Sequence, residues 1–288
     1  MAKYFFIFLF FFNLIFCSIG EPSKIIFSNE PENIYKAGTI LDVQITGSYR
    51  LFFSHSNRSG EKGDVFVRIT SSEDNKVQFR SSFAGPNKSE LYVGKLLGER
   101  FLVNYNTLQE SKLPYEWTVK FPNQDVLSGM IDVFPENSNA VCRIQVYFKE
   151  ESLIAFDESK YIFQNKTITK RVKISNADIR YNLKIAEESD YITNGKYSLI
   201  GNYGIFYEYL LEFSEIGEYQ LLFTANGGPA SCVFLLDGKL FSVYSNDSKK
   251  IGRFKVERPG LKKLITFPLP GSNYPSTVTI VKERVYTN

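Results

Sequence analysis

The side chains that could carry out catalysis are few in this sequence and far apart. The chain has one histidine, His55, in the turn-like stretch "HSNRSGEKG", and no serine nucleophile motif, Cys/His pair or HExxH motif accompanies it. A zinc site needs three or four nitrogen or sulfur ligands, which one histidine and distant cysteines do not supply. We therefore expect a solvated His55 and no metal site.

Carboxylates offer a second kind of chemistry, because two of them about 5 to 10 Å apart are enough for a glycoside hydrolase. The candidates are Asp64, Glu73, Glu187 and Glu208. Their positions in the sequence do not show that any two face each other. We therefore expect a protein that is not an enzyme, with a glycosidase as the least favoured alternative.

Charge and the N-terminal segment limit the class of protein further. The formal net charge is +3 over 288 residues, which is too small to indicate a nucleic-acid partner. Residues 1–20, "MAKYFFIFLFFFNLIFCSIG", combine a basic start at Lys3, an apolar run ending at Cys17 and a small residue, Gly20, where a peptidase could cut. The run is too short for a comfortable membrane span. We expect a signal peptide over 1–20 and a secreted chain without a membrane span.

Secretion bears on the cysteines and on possible glycosylation. Cys142 and Cys232 remain after the leader, and they could form a disulfide or stay as two separately buried thiols. Four sequons of the form Asn-x-Ser/Thr predict surface loops and a glycoprotein. Their asparagines are Asn57, Asn87, Asn165 and Asn246.

The segments that must position these side chains have the sequence pattern of β-strands. Trp117, Val119 and Phe121 alternate with Thr118 and Lys120, and many similar stretches lie between turn-forming residues. No long run shows helical periodicity with caps. The pattern predicts an all-β chain with two tandem antiparallel β-sandwich, jelly-roll-like domains.

We place an N-terminal sandwich at 21–136 and a second sandwich at 181–288. Residues 137–180 are either connecting strands or the start of the second domain. The boundary near 136 rests on the turn-forming cluster "FPENSNA".

One eight-residue pattern occurs in both halves. "GSYRLFFS" begins at Gly47 and "GEYQLLFT" at Gly217, and each is followed by a Gly/Asn/Ser turn and another strand. The match is explained either by two similar strands, which we favour, or by two related hairpins from a duplication. The dipeptide Asp237-Gly238 independently predicts a tight hairpin turn.

The order of features from Leu183 onward is more specific. A strand "LKIAEESD" precedes a Tyr-rich stretch "NGKYSLIGNYGIFYEYLLEF", which leads into "EIGEYQLLFTANGGPASCVFLLDGKL". This order resembles the family 6 and family 35 carbohydrate-binding modules, which are galactose-binding-like jelly rolls. The resemblance implies a sugar pocket on loops at one end of the sandwich. The positions that match are Tyr203, Tyr207, Asn273 and Tyr274.

The sequence departs from the family at two places. Where the family has a second aromatic residue, usually Trp, this chain has Ile251 and Phe254. The family's calcium site pairs a first-strand Glu with a C-terminal Asp, and "TVTIVKERV" has no Asp. Because Ca²⁺ takes six to eight oxygen ligands, Glu187 and Glu188 alone do not make a site, and we expect no cofactor.

The sequence thus favours a secreted, non-catalytic glycan-binding protein whose sugar site lies in the C-terminal jelly roll. The alternative is a secreted protein-interaction or structural protein, for coat formation or adhesion, without a sugar site. The partner is accordingly a glycan or an extracellular protein.

Overall fold

The computed structural model describes residues 20–28, 38–72, 76–111, 113–150, 162–175, 180–187 and 202–283. The predicted leader, apart from Gly20, and also Glu73 and Glu188, lie outside these residues. The described part is mostly strand with one helix, which confirms the all-β prediction. None of its helices is long and apolar enough to cross a membrane.

The described residues of the N-terminal half form ten strands and the helix. The strands are β1 (Lys24–Ser28), β2 (Gly38–Thr46), β3 (Tyr49–Ser56), β4 (Gly63–Ser71), β5 (Val77–Asn87), β6 (Gln109–Ser111), β7 (Tyr115–Phe121), β8 (Val126–Pro135), β9 (Val141–Phe148) and β10 (Ile162–Gln164); helix α1 is Glu90–Val103. Sheet 1 has the order β10-β1-β3-β8-β5-β6, and sheet 2 the order β2-β9-β4-β7.

The C-terminal half forms two further sheets. Its strands are β11 (Ile168–Ile174), β12 (Arg180–Ile185), β13 (Tyr207–Phe213), β14 (Gly217–Ala225), β15 (Ala230–Leu236), β16 (Lys239–Ser245), β17 (Ser248–Val256), β18 (Gly260–Thr266) and β19 (Ser276–Lys282). Sheet 3 has the order β11-β13-β18-β15-β16, and sheet 4 the order β12-β19-β14-β17.

The strand pairing places the boundary between the two sandwiches further along the chain than the turn cluster near 136 suggested. β9 lies inside sheet 2 between β2 and β4, and β10 extends sheet 1 beside β1. β11 is the first strand of the second half, where it pairs in parallel with β13. The division therefore falls between β10 and β11, because "FPENSNA" is a turn within the first sandwich.

Two apolar cores hold these layers together. The first core lies between sheets 1 and 2 and takes alternate residues of β3, namely Tyr49, Leu51 and Phe53. The second core starts between sheets 3 and 4, continues through α1 and reaches Phe52 on the opposite face of sheet 1. The two sandwiches are thus joined, with α1 between sheet 1 and sheet 3. Since both faces of sheet 1 are covered, β3 is buried almost throughout instead of alternating.

Helix α1 is the element that the sequence did not predict. Ser89 caps it by accepting a hydrogen bond from the backbone N of Tyr92 (3.3 Å), and Arg100 lies in the last turn, as the helix dipole favours. Gly94 and Gly98 lower its intrinsic propensity by about 1 kcal/mol each. Both are needed for close packing: a Cβ on Gly94 would lie 2.2 Å from Pro270 O, and one on Gly98 would lie 2.7 Å from Leu269 Cδ2.

The repeated pattern occupies similar but not equivalent places. β3 lies inside sheet 1 and β14 inside sheet 4, and in each case the next strand, β4 or β15, belongs to the opposite sheet of its sandwich. Of the two explanations for the repeat, the pair of hairpins is therefore wrong, because each turn crosses between sheets. The tight turn at Asp237 and Gly238 is confirmed: it joins the paired strands β15 and β16, with φ of 46° and 81°.

Candidate functional site

The tyrosines that match the carbohydrate-binding modules point into the protein. Tyr203 is half-buried, donates to Ser272 O at 2.6 Å and meets the ring of Tyr274 edge-on at 6.0 Å. The Tyr274 hydroxyl accepts from the backbone N of Leu269 (3.0 Å) and donates to Ser231 O (3.0 Å). Burial raises the pKa of Tyr203 and holds that of Tyr274 well above its usual range. Their polar groups already have partners within the fold.

The other two predicted sugar-binding residues differ in exposure. Tyr207 is fully buried in β13, where its hydroxyl accepts from Asn202 Nδ2 at 3.2 Å. Asn273 is exposed, and its backbone N and its Nδ2 both donate to Pro229 O, at 3.0 and 3.1 Å. The structure therefore brings Tyr203, Asn273 and Tyr274 together, but neither Tyr207 nor Tyr274 presents a ring face on which a sugar could stack.

Helix α1 explains why this end of the jelly roll is closed. Gly94 faces Pro270, and a Cβ on Gly271 would lie 2.4 Å from the Cβ of Glu90. Ser231 Oγ donates to the carbonyl of Leu91 at 3.0 Å. The loop end at which the sequence resemblance predicted a sugar pocket is thus packed against a helix from the first half of the chain.

A cleft of about 420 Å³ opens beside the start of α1. We call it the α1 cleft. It collects residues from the end of β3, the loop that follows, the link between β5 and α1, the first residue of α1, the turn before β8 and the first residue of β8. The residues that line it are Ser56, Arg58, Gly60, Lys88, Glu90, Asn123, Gln124 and Val126.

Buried Asn57 holds one wall of the α1 cleft in place. Its Nδ2 donates to Glu61 O (3.0 Å) and Phe121 O (2.9 Å), and its Oδ1 accepts from the backbone N and the hydroxyl of Ser59 (3.1 and 2.7 Å). The backbone of Asn57 also accepts from Gln124 N at 2.6 Å. The side chain and backbone of Asn57 therefore tie the β3–β4 loop to the end of β7 and to the turn before β8.

The cleft lining mixes donors and acceptors around one apolar residue, Val126. Glu90 accepts from Ser56 Oγ at 3.2 Å, and Asn123 Oδ1 accepts from the backbone N of Gly60 at 3.0 Å. Arg58 and Lys88 are exposed and make no ion pair with any residue that the structure describes. This arrangement can form hydrogen bonds to several hydroxyl groups of one small polar ligand.

A second polar cluster is buried between sheet 1 and α1, and we call it the arginine network. Arg50 and Arg80 are opposite Asp132 in the strand register. Asp132 Oδ1 lies 2.6 Å from Arg50 Nε, and Oδ2 lies 2.7 Å from Arg50 Nη2 and 2.8 Å from Arg80 Nε. Glu21 binds both guanidinium groups and accepts from Tyr105 OH at 2.6 Å. Neither arginine side chain is accessible to solvent.

The arginine network also reaches the second sandwich. Arg50 Nη1 donates to Gly204 O at 3.1 Å, and its guanidinium lies 4.1 Å from the centre of the Phe206 ring. Such stacking is favourable when the cation is desolvated. The sequence gives one sign of this network: Arg50, Arg80 and Asp132 are charged residues within otherwise largely uncharged strands, as in "YRLFF". The sequence does not show which of them pair.

The predicted modification sites differ in their surroundings. Asn246 is exposed and Asn87 half-buried, whereas Asn165 Nδ2 donates to Pro22 O at 2.8 Å. Asn57 is fully buried, so the expected surface loop is wrong at this sequon, because its Nδ2 already makes two hydrogen bonds within the protein. Cys142 and Cys232 are free and buried in different cores, so the disulfide alternative is not realised.

The candidate catalytic side chains lie apart from one another, and each that the structure describes has a partner within the protein. His55 is buried in β3, not solvated as expected, and its Nε2 shares a hydrogen bond with Ser28 Oγ at 3.0 Å. Asp64, Glu187 and Glu208 each form an ion pair with a lysine. No group of three or more His, Cys, Asp or Glu side chains that could hold a metal occurs in the described ranges.

These observations define an all-β protein of two joined sandwiches. No protein-family model matches the chain, and no curated protein matches it. Among solved structures, it is similar to a β-glucosidase from Paenibacillus barengoltzii (14% identity, TM-score 0.26), covering 41% of this chain and 12% of that one.

Two other similar structures are tandem arrangements. The CUB1-EGF-CUB2 domains of human MASP-1/3 share 10% identity at a TM-score of 0.26, over 84% of this chain and 99% of that chain. The CBM22-1-CBM22-2 tandem domain of Paenibacillus barcinonensis Xyn10C shares 10% identity at a TM-score of 0.20, over 88% of this chain and 96% of that chain. With TM-scores this low, these likenesses do not bear on function.

Proposed function

We propose that the protein is a secreted glycan-binding protein and that its sugar site is the α1 cleft. The observation that carries this proposal is the convergence of amide, hydroxyl, carboxylate and cationic side chains around about 420 Å³. Sugar hydroxyls need fixed polar partners of both donor and acceptor type. Because the tyrosines that match the carbohydrate-binding modules are engaged inside the fold, the proposed site is this cleft instead of the jelly-roll end.

The proposed roles follow from the positions of the side chains. Asn123 is oriented by the bond from Gly60 N to its Oδ1, so its Nδ2 serves as a donor to the ligand. Arg58 and Lys88 supply charged donors, and Glu90 supplies an acceptor. Val126 offers a small apolar surface to the C–H groups of a sugar ring.

A glycan array with the secreted protein tests this proposal, followed by titration with the best ligand. Asn123→Ala and Arg58→Ala are each expected to weaken binding about tenfold, as loss of one hydrogen bond from a polar site predicts. Asn273→Ala is the matched control, since Asn273 is another surface asparagine with one side-chain bond to a carbonyl. Loss of binding in the control, but not in Asn123→Ala, would return the site to the jelly-roll end. Absence of binding to every glycan would reject the function.

The closed loop end favours a second candidate function, protein interaction. With α1 packed on that end, the two sandwiches form one scaffold whose partner is another extracellular protein. Pull-down from the extracellular fraction would then recover one partner equally well with Asn123→Ala and Asn273→Ala. A partner that is captured only by proteins with an intact α1 cleft would argue against this alternative.

A further inference from the structure

Two turns of the same kind present cationic side chains to the α1 cleft. Arg58 is the middle residue of "NRS", and Lys88 is the middle residue of "NKS". In the first turn, Asn57 Oδ1 accepts a hydrogen bond from the backbone N of the serine two residues on, at 3.1 Å. In the second turn, Asn87 Oδ1 accepts the equivalent bond at 2.8 Å. Such Asx turns leave the middle residue at the tip, and both tips line the same cleft.

The backbone beneath each cation is fixed by the fold. Asn57 is fully buried, and its Nδ2 binds two backbone carbonyls. On the other side of the cleft, Ser89 caps α1: its Oγ accepts from the backbone N of Tyr92 at 3.3 Å, and its carbonyl accepts from the backbone N of Val93 at 3.0 Å. A ligand that binds both tips therefore does not have to order either turn first, which lowers the entropic cost of binding.

The two cations have no counter-charge in the described part of the chain. Arg58 and Lys88 are exposed, and neither forms an ion pair with a described residue. Guanidinium and ammonium groups are hydrogen-bond donors only. Their strongest partners are oxyanions, and a guanidinium can bind one with two parallel bonds.

The acidic side chains around the cleft do not cancel this positive charge. Among the described residues of the lining, Glu90 is the one with a carboxylate. It already accepts from Ser56 Oγ at 3.2 Å and lies in the first turn of α1, where the helix dipole stabilises an acid. Glu61 forms an ion pair with a lysine outside the lining, and Asp125 is not part of the lining. The cleft thus has two free cations against one engaged carboxylate.

We propose that the ligand of the α1 cleft is an acidic sugar, whose carboxylate or sulfate group is bound by Arg58 and Lys88 together. This inference rests on the proposed glycan-binding function and names the class of glycan. The neutral hydroxyl groups of the same sugar are bound by Asn123 and Glu90. Binding is reversible and involves no covalent step.

The class of glycan is tested on an array that carries neutral oligosaccharides beside the same oligosaccharides with a carboxylate or a sulfate at C6. At least one acidic form is expected to bind, and titration should show it at least about tenfold tighter than its neutral parent at low salt. Added salt should reduce this difference, because it screens exposed charges. The two acidic forms distinguish a uronate from a sulfate ester, and a preference for either supports the inference.

The other outcomes separate the class of glycan from the function itself. Equal or tighter binding of the neutral parent would overturn the acidic class and leave glycan binding in place. Failure of every sugar to bind would reject both. Inorganic sulfate alone should bind at least about tenfold more weakly than the sulfated sugar, and equal binding would overturn the inference by showing a simple anion site.

Charge-removing variants place the preference in the cleft. Arg58→Gln and Lys88→Gln should each weaken binding of the acidic sugar about tenfold and that of its neutral parent less than about threefold. Arg58→Lys keeps the charge and should keep most of the preference. Arg258→Gln and Lys249→Gln, at exposed positions of the second sandwich, are the matched controls and should bind like the wild type. Unchanged binding by both cleft variants, or equal losses for the acidic and neutral sugars, would overturn the inference.

Discussion

His55 in β3 shows how burial changes the chemistry of a single residue. Burial lowers the pKa of its imidazole from 6.5 to about 4, although the bond with Ser28 opposes this shift. The native state therefore keeps the ring neutral over a pH range in which the unfolded chain takes up a proton. A residue that the sequence suggested was solvated is part of the fold.

The first prediction concerns the pH dependence of stability. Because the native pKa lies below the unfolded one, stability is full above pH 6.5 and falls as pH drops from 6.5 towards 4. The contribution of His55 to this loss is about 3 kcal/mol. Urea unfolding at several pH values should show a flatter profile for His55→Gln. Identical slopes for the wild type and the variant would contradict the buried neutral histidine.

A second prediction concerns Asp132, the central acid of the arginine network. Asp132→Asn leaves one carboxylate, that of Glu21, for two buried guanidinium groups, and should lower the free energy of unfolding by about 3–5 kcal/mol. Asp64→Asn removes the surface partner of Lys120 and should cost at most about 1 kcal/mol. Chemical denaturation of both variants provides the comparison. If Asp132→Asn lowers the free energy of unfolding no more than Asp64→Asn does, the prediction is wrong, because the two buried guanidinium groups would then need only one carboxylate.

Sequence reasoning found few of the interactions at this scale. Arg50 and Asp132 are 82 positions apart, and Arg80 and Asp132 are 52 apart, so only strand register brings them together. The α1 cleft is equally non-local, because Ser56 ends β3, Lys88 links β5 to α1, and Asn123 lies in the turn before β8. The rings of Tyr203 and Tyr274 are in contact, but their burial depends on a helix that the sequence did not reveal.

Among the secondary-structure elements, helix α1 is the main one that the sequence did not predict. Alternating strands such as β7, and the turn at Asp237 and Gly238, were predictable because local patterns determine them. The helix was not, since Gly94 and Gly98 weaken its local signal and its buried residues face two different sheets. Its cap at Ser89 was the one readable sign.

The third prediction reverses the usual effect of alanine in a helix. Gly→Ala normally stabilises a helix by about 1 kcal/mol, but at Gly94 the added Cβ would lie 2.2 Å from the backbone oxygen of Pro270. Gly94→Ala should therefore destabilise the protein, by about 1–3 kcal/mol as in other overpacked sites. Thermal unfolding measures this shift. Val103→Ala, at a site that is 66% exposed in the same helix, should change stability little.

A stabilising effect of Gly94→Ala would show that α1 and the loop at Pro270 can separate without loss. The loop end beside Pro270 would then open readily, and a sugar site at that end, as the sequence resemblance predicts, would regain support over the α1 cleft.

At the scale of the whole molecule, one apolar core crosses the division between the sandwiches. Phe206 of the second half stacks on Phe267 at 4.9 Å and lies beneath Arg50 of the first half. Phe101 of α1 completes this contact, with its ring 6.1 Å from that of Phe206. We expect the two halves to unfold in one cooperative transition.

The fourth prediction uses Trp117, the only tryptophan in the chain, as a reporter of the first sandwich. Phe206→Ala, in the second half, should cost about 3–5 kcal/mol and lower the midpoint of Trp117 fluorescence together with that of far-UV circular dichroism. Tyr244→Ala, at a site that is 50% exposed in the second sandwich, should leave both midpoints in place. An unchanged fluorescence midpoint with a biphasic dichroism curve would show that the halves unfold separately.

The two-faced burial of sheet 1 limits how this protein can be divided. A fragment that ends after β10 would expose Phe52 and its neighbours on the outer face of the sheet, with Arg50 deprived of the Gly204 carbonyl and the Phe206 ring. A large exposed apolar face favours aggregation. We therefore expect that neither sandwich folds well alone. Gene fusions and truncations for crystallisation will need both sandwiches and α1 together, and one half should not be transferred to another protein without the other.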